Sequence, residues 1–171
     1  LDVAISRASC GAEALERCHD GIDVVLLDRQ MPRVSGDEVL DELRERGLDV
    51  RVAFVSAATP DVRITDIDID AYLVKPVARD VYLDLVRSLL RRESLPETAD
   101  RYVSILSKRA ALLEAEPRSV LRNEPAYAAL EAELSRLASR VDSRRLDDPF
   151  LRRASTDGSG DDGLPSFDST L

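Results

Sequence analysis

Apolar residues in the first 93 positions alternate between short runs and stretches with a helical period. The short runs predict four strands, near residues 2–8, 23–28, 51–56 and 71–74. The periodic stretches predict three helices, near residues 10–18, 36–46 and 79–92. Between them, residues 59–69 combine β-branched side chains with alternating Asp, which predicts only a short or irregular helix. This order is typical of βα units around a parallel sheet.

Local signals refine these elements. The second strand is a continuous apolar run, so we expect it to be buried on both faces. Ser9 is placed to cap the first helix, and Asp80 lies in the first turn of the third. The pairs Arg91-Arg92 and Lys108-Arg109 are interpreted as solvated helix faces.

A different pattern begins at residue 94. Two narrow apolar seams step by three and four residues, one through Ala99, Val103, Leu106, Ala110 and Leu113, the other through Tyr127, Leu130, Leu134, Leu137 and Val141. Pro117 and Pro125 interrupt the pattern, and Asn123 is placed to cap the second helix, which predicts a helical hairpin. The seams could close on each other or on a partner chain.

The remaining residues have no periodic pattern. Gly, Ser and Asp dominate the end of the chain, which predicts disorder. The sequence therefore divides into an α/β domain at 1–93, a helical hairpin at 94–141 and an acidic tail at 142–171.

Composition removes several classes of function. The 171 residues carry a net charge of −9, two cysteines and one histidine, too few soft ligands for a zinc site or a disulfide framework. No apolar run is long enough to span a membrane, and we expect a cytoplasmic protein. Residues 94–141 carry seven bases and seven acids, so DNA binding is not favoured.

Three unlike polar residues follow the predicted strands. Asp28 ends the second strand, Ser56 ends the third, and Lys75 follows the fourth. Carboxyl ends of parallel strands meet at one edge of a sheet, so these side chains should converge. A carboxylate can attack a phosphoryl group, while a hydroxyl and an ammonium stabilise its oxygens.

Three blocks follow one another in order: DRQMPRVSG around Asp28, Ser56-Ala57, and YLVKP ending at Pro76. Through these blocks the chain resembles the receiver domain of two-component response regulators. The resemblance implies a flavodoxin-like doubly wound parallel sheet and a phosphoprotein that is not an enzyme. It implies Asp28 as phospho-acceptor for a sensor histidine kinase, Ser56 as switch hydroxyl, Tyr72 as switch aromatic and Lys75 as phosphate contact. It also implies a cis Lys75–Pro76 bond and Mg²⁺ held by Asp28 and the Gln30 carbonyl.

One expected feature of that family is missing. Receivers hold Mg²⁺ with an acidic pair after their first, central strand, and no such pair precedes Asp28 at the expected distance. Asp2 lies on another element, and Asp20 and Asp23 lie at the opposite end of the Asp28 strand. We therefore expect a receiver that lacks its first strand and helix, roughly 30 residues, either as a fragment or as a degenerate receiver, and that binds Mg²⁺ poorly.

The hairpin resembles the HalX domain found behind receivers in haloarchaea, through SILSKRAALLEAE and AYAALEAELSRLASRV. It is expected to bind protein, such as a second copy of residues 94–141, rather than DNA. Other hypotheses are an interaction module that is not phosphorylated, a transcription regulator, or a phosphatase that uses Asp28; the last is disfavoured because Gln30 stands where a second acid is required.

Overall fold

The computed structural model describes residues 3–141 and residue 150 of the chain. Its α-helices are α1 (Gly11–Arg17), α2 (Gly36–Glu45), α3 (Arg79–Arg91), α4 (Glu97–Ala115), α5 (Arg118–Leu121) and α6 (Pro125–Ala138). Its strands are β1 (Val24–Leu27), β2 (Arg51–Ser56) and β3 (Ala71–Val74). Two 3₁₀ turns occupy Val62–Thr65 and Arg92–Ser94. Apart from residue 150, the predicted tail at 142–171 lies outside the described residues.

The three strands form one parallel sheet in the order β1-β2-β3. Val52, Ala53 and Phe54 of the central strand are fully buried, as expected of a parallel strand covered on both faces. Leu27 pairs with Phe54, and Phe54 in turn with Tyr72. The α/β fold class is therefore confirmed, and the carboxyl ends of the strands lie side by side.

The predicted strand at 2–8 is wrong. Residues 3–8 have no strand structure, and the side chains of Val3 and Ile5 are exposed. β1 is also only half-buried up to Leu27, not buried on both faces as predicted. Both differences have one cause, because among the described residues β1 pairs only with β2, and no strand lies beyond it to pair with residues 3–8.

Two predicted caps are also wrong. Cys10, not Ser9, is the N-cap of α1, and Ser9 instead donates from its backbone and its hydroxyl to the carboxylate of Glu13. Glu124, not Asn123, is the N-cap of α6. The Asn123 amide turns back to the Ser119 carbonyl of α5, so its side chain is not free to cap the next helix.

The hairpin closes on its own chain and on the α/β domain. α4 packs against α6 and also against β3, and most residues of both apolar seams are buried there. The two prolines act as predicted. Pro117 is the N-cap of α5 and Pro125 is the first residue of α6, a position where the missing N–H costs nothing.

The prediction that the basic pairs are solvated holds for Arg91 but is wrong for its neighbour and for the second pair. Arg92, Lys108 and Arg109 are buried. Each has a specific acceptor, since Arg92 binds Asp100, Arg109 binds Glu131, and Lys108 binds a main-chain carbonyl. Sequence charge balance could not show this, because each acceptor comes from another element or another turn.

Among the described residues, no helix is both long and apolar enough to cross a membrane.

Candidate functional site

The structure brings three predicted residues into one hydrogen-bonded group. The Ser56 hydroxyl donates to Oδ1 of Asp28 at 2.6 Å, and the Lys75 ammonium donates to Oδ2 at 2.8 Å. The backbone N–H of Gln30 also donates to Oδ1, at 3.1 Å. The carboxylate is thus held from three directions at the carboxyl edge of the sheet.

Each of these residues is placed by the end of a strand. Asp28 follows β1 directly, Ser56 is the last residue of β2, and Lys75 follows β3. The Lys75–Pro76 peptide is cis, as the resemblance implied. Ligands of open α/β sheets bind at this edge, beyond the strand ends, so the position is suited to a reacting group.

A glycine lets the loop after Asp28 close tightly on α2. A Cβ on Gly36 would lie 2.5 Å from the Asp28 carbonyl oxygen and 2.8 Å from the Arg29 Cα. Both are backbone atoms that cannot swing away. Ser35 then begins α2 with a capping box to Glu38, which fixes the end of this loop. Position 36 therefore requires a glycine, because the backbone of the Asp28 loop lies too close for a side chain.

The charge state of Asp28 follows from its neighbours. Partial burial raises the pKa of the Asp28 carboxyl, but hydrogen bonds from Lys75, Ser56 and Gln30 outweigh this and leave the pKa below its ordinary value. The side chain is therefore an anion at neutral pH. An ionised carboxylate is the form that can attack phosphorus.

Tyr72 lies near this group without touching Asp28. Its ring is buried edge-on against Phe54, with centroids 6.0 Å apart. Its hydroxyl donates to the Ala58 carbonyl at 2.7 Å, and burial raises the pKa of Tyr72. The backbone N–H of Ala58 donates to the Ser56 hydroxyl at 3.3 Å. Ala58 thus connects the serine to the tyrosine.

Sequence reasoning missed Arg29. Its guanidinium pairs with Asp37 at 2.9 Å and lies 6.0 Å from the centre of the Phe54 ring. This contact ties the loop after β1 to the first turn of α2. The signal available in the sequence was an Asp in the first helical turn, eight residues after an Arg, which is too common to be specific.

The residues at this edge do not make a Mg²⁺ site by themselves. Mg²⁺ prefers six oxygen ligands in octahedral geometry. Asp28 supplies one carboxylate, and both of its oxygens already accept hydrogen bonds. Across residues 3–141, no three His, Cys, Asp or Glu side chains are grouped so as to hold a metal ion. Asp20 and Asp23 precede β1, at the other end of the strand.

Comparison with known proteins gives two family matches. A model of the response regulator receiver domain matches residues 1–87, and a model of the HalX domain matches residues 91–154. Receiver domains generally bind Mg²⁺ for phosphorylation, and the oxygen ligands described above are too few for that ion.

Three relatives are named as regulators. A putative transcriptional regulator of Haloferax volcanii is 49% identical over 109 residues, which cover 64% of this chain and 19% of that protein. Transcriptional regulatory protein CutR of Streptomyces coelicolor is 41% identical over 90 residues, covering 50% of this chain and 42% of CutR. Response regulator MprA of Mycobacterium leprae is 32% identical over 147 residues, covering 69% of this chain and 64% of MprA. The chain thus spans less than two thirds of each relative.

A solved structure also matches. "Low Resolution Structure of Response Regulator StyR" has a TM-score of 0.44 and 18% identity, and the match covers 86% of this chain and 83% of that one. The receiver model matches just over half of the chain. The chain therefore belongs to the response regulator receiver family of two-component signalling, with a HalX domain after the receiver.

Proposed function

We propose that Asp28 accepts a phosphoryl group from a phosphohistidine of a sensor histidine kinase. A carboxylate oxygen of Asp28 forms the new P–O bond while the P–N bond to the imidazole breaks. The imidazole leaves with a proton from solvent, and Asp28 then carries an acyl phosphate. The supporting observation is the ionised Asp28 carboxylate held between a hydroxyl and an ammonium at the carboxyl edge of the sheet.

The neighbours have separate roles in this proposal. Lys75 compensates the charge that the phosphoryl oxygens bring, and the Ser56 hydroxyl donates to one of them. Each must give up part of its present bond to the Asp28 carboxylate. Tyr72 responds indirectly. A shift of Ser56 displaces Ala58, and the Ala58 carbonyl accepts the hydrogen bond of the Tyr72 hydroxyl. Mg²⁺ is expected for the reaction. Asp28 and the Gln30 carbonyl would be among its ligands, and the ion would need further ligands besides these two.

The test is phosphorylation by phosphoramidate, a small donor with a P–N bond, in buffer with Mg²⁺. The protein used is the complete open reading frame that contains this sequence. We expect one phosphoryl group by intact mass, stable to acid and labile to alkali. Asp28→Asn should abolish it, and Asp23→Asn, an exposed Asp at the other end of β1, should not. Labelling that persists in Asp28→Asn contradicts the assignment.

We propose that the hairpin is the output region and that it binds protein. α4 and α6 both pack on the 3₁₀ turn Val62–Thr65, which lies a few residues after Ala58 in the chain. A change at Ser56 therefore reaches the hairpin through a short segment. A homodimer through residues 94–141 would have to open the buried seams or use other surfaces.

A second candidate is a transcription regulator that binds DNA through the hairpin, since two relatives carry that name. The buried positions of Arg92, Lys108 and Arg109 favour the protein-binding proposal, because buried cations are not available to DNA phosphates. Titration of the chain with DNA from upstream of its own gene, beside sedimentation, separates the two. Sequence-dependent, sub-micromolar binding (a typical specific affinity) would overturn protein binding as the output.

As a family of signalling proteins, response regulators are generally not enzymes. The chemistry proposed for this chain is confined to gaining and losing its own phosphoryl group. We propose a cytoplasmic location for the chain, where it would meet the proposed histidine kinase.

A further inference from the structure

One part of the contact between the hairpin and the receiver lies at the amino end of the sheet, away from Asp28. It is formed by four charged residues, Arg51, Asp70, Arg92 and Asp100, which we call the Arg92 cluster. Arg92 donates to Asp100 Oδ1 at 2.6 Å and to the Asp70 main-chain carbonyl at 3.1 Å. Arg51 bridges Asp70 and Asp100 from the start of β2. Asp100 lies in α4, so the cluster joins the hairpin to the sheet.

Arg92 and Asp70 are the buried members of the Arg92 cluster, and Arg51 and Asp100 are partly exposed. The Arg92 side chain is 3% exposed, and it also binds the Ser104 hydroxyl of α4. Asp70 accepts the Val52 N–H with its second oxygen, at 2.8 Å. Removing Arg92 or Asp70 would leave the other members with one charged partner fewer in a largely buried site, which is destabilising. Arg92 therefore favours the docked position of the hairpin.

Lys108 makes the opposite contribution. It lies in α4, is 8% exposed, and donates to the Ile67 carbonyl at 2.5 Å. Among the described residues it forms no ion pair, so a buried ammonium has one neutral acceptor. Burial lowers the pKa of Lys108, while Asp68 and Asp70 oppose that shift and Arg101 adds to it. Burying a charge without an ionic partner costs free energy.

The contact between the two parts has an apolar part, where buried residues of α4 and α6 join the core of the receiver, and a polar edge. At that edge lies an open cleft of about 470 Å³. Its walls include Arg44 and Asp68 from the receiver and Ser104, Lys108 and Glu133 from the hairpin. The polar edge of the contact gains less from dispersion and from apolar burial than its close-packed part does.

We propose that the helical hairpin docks reversibly on the receiver, with Arg92 holding it in place and the buried ammonium of Lys108 opposing the contact. The hairpin can then leave without unfolding the sheet. Arg92 and Lys108 are not among the residues proposed above to take part in phosphorylation, so docking and phosphorylation can be tested separately. Once undocked, a hairpin of about 45 residues is too small to protect its own amides well, so release is visible by hydrogen exchange.

The experiment is hydrogen exchange with mass spectrometry on the whole chain and three single variants. Arg92→Met should speed exchange in α4 and α6 by at least about tenfold, because it removes the buried one of the two cations that pair with Asp70 and Asp100. Lys108→Met should slow exchange in the same helices by about threefold or more, because it removes an unpaired buried charge. Arg91→Met is the matched control, one residue from Arg92 and exposed, and should change neither. β1–β3 should exchange as in the original chain throughout.

Three results would overturn the proposal. Unchanged exchange in Arg92→Met would show that the cluster does not hold the hairpin. Unchanged or faster exchange in Lys108→Met would make Lys108 neutral or a holding contact. Faster exchange in β1–β3 together with the helices, or failure of Arg92→Met to fold, would mean that the hairpin and sheet unfold as one unit. Lys108→Met keeps the volume of the side chain, so its result is interpretable even then.

Discussion

Two groups of charged residues lie at opposite ends of β2 and β3. At the carboxyl end, Asp28 accepts hydrogen bonds from Ser56 and Lys75. At the amino end, the Arg92 cluster joins two carboxylates to two guanidiniums. Exposure separates them most clearly. The side chains of Asp28 and Lys75 are 33% and 46% exposed, whereas those of Asp70 and Arg92 are 9% and 3% exposed.

The difference shows how burial divides the uses of the same chemical groups. An accessible carboxylate with one cation can be approached by a reactant, and water takes over its bonds at small cost. A buried carboxylate with two cations is closed to reactants, and water cannot replace a lost partner. The exposed end of the sheet is therefore suited to chemistry and the buried end to holding the hairpin.

The largest effect that we expect separates two aspartates of one loop. Asp70→Asn should reduce the free energy of unfolding by about 3–5 kcal/mol, because the buried Arg92 and the partly exposed Arg51 are then left with one carboxylate between them. The control is Asp68→Asn. Asp68 also pairs with an arginine, Arg44 at 2.7 Å, but its side chain is 81% exposed, so the cost should be at most about 1 kcal/mol. Denaturant unfolding of both variants measures the two losses of unfolding free energy. Equal losses in Asp70→Asn and Asp68→Asn would show that burial does not set the cost of losing a charged partner.

The exposed end was predictable from the sequence because each residue there is placed by a local rule. Asp28, Ser56 and Lys75 each end or follow an apolar run, and parallel strands bring such positions together. Most of the fold could be predicted for the same reason, because the alternation of strands and helices is also a local pattern. These inferences required only short stretches of sequence, and the three side chains do meet in the structure.

The buried end could not be predicted, since it depends on contacts between distant elements. Asp100 belongs to the hairpin and Arg92 to the 3₁₀ turn before it, while Arg51 begins β2 and Asp70 immediately precedes β3. Nothing local in the sequence indicates that they meet. The strand predicted at 2–8 failed for a related reason. Its alternating pattern suits a strand, but a strand also requires a hydrogen-bonding neighbour, and among the described residues none lies beside it.

The next largest effect concerns the backbone at the exposed end. Gly36→Ala should cost about 1–3 kcal/mol, because the new methyl group meets backbone atoms of Asp28 and Arg29 that cannot move aside. The loop that carries Asp28 should shift. Gly47→Ala is the control, since alanine is strained at the positive φ of 71° but its Cβ would meet no atom within 4 Å. Amide NMR shifts of Asp28 and Gln30 should change in the first variant alone, and unchanged shifts in Gly36→Ala would contradict the close approach.

A smaller effect is expected from the pair that gives the exposed end its charge. In a double-mutant cycle, Asp28→Asn and Lys75→Gln should show a coupling of at most about 1 kcal/mol, because solvent reaches both side chains. The matching cycle at the buried end uses Asp100→Asn and Arg92→Gln and should show a clearly larger coupling. Chemical unfolding of the two sets of variants provides both values. If the Asp28–Lys75 coupling were as large as the Asp100–Arg92 coupling, exposure would not be what sets the strength of these ion pairs.

The smallest expected effect is the pH dependence of the Asp28 contribution. Burial raises the pKa of Asp28, but hydrogen bonds from Lys75 and Ser56 prevail and the folded pKa lies below the ordinary value of 3.8. A carboxyl whose pKa is lower in the folded state stabilises it fully above the unfolded pKa and loses that contribution as pH falls through the folded pKa. The difference in unfolding free energy between the original chain and Asp28→Asn should therefore shrink on acidification below about pH 4. Carbon-13 NMR titration of the Asp28 carboxyl gives the folded pKa directly. A difference that stays constant or grows as the pH falls would show that the bonds to Lys75 and Ser56 do not favour the ionised form.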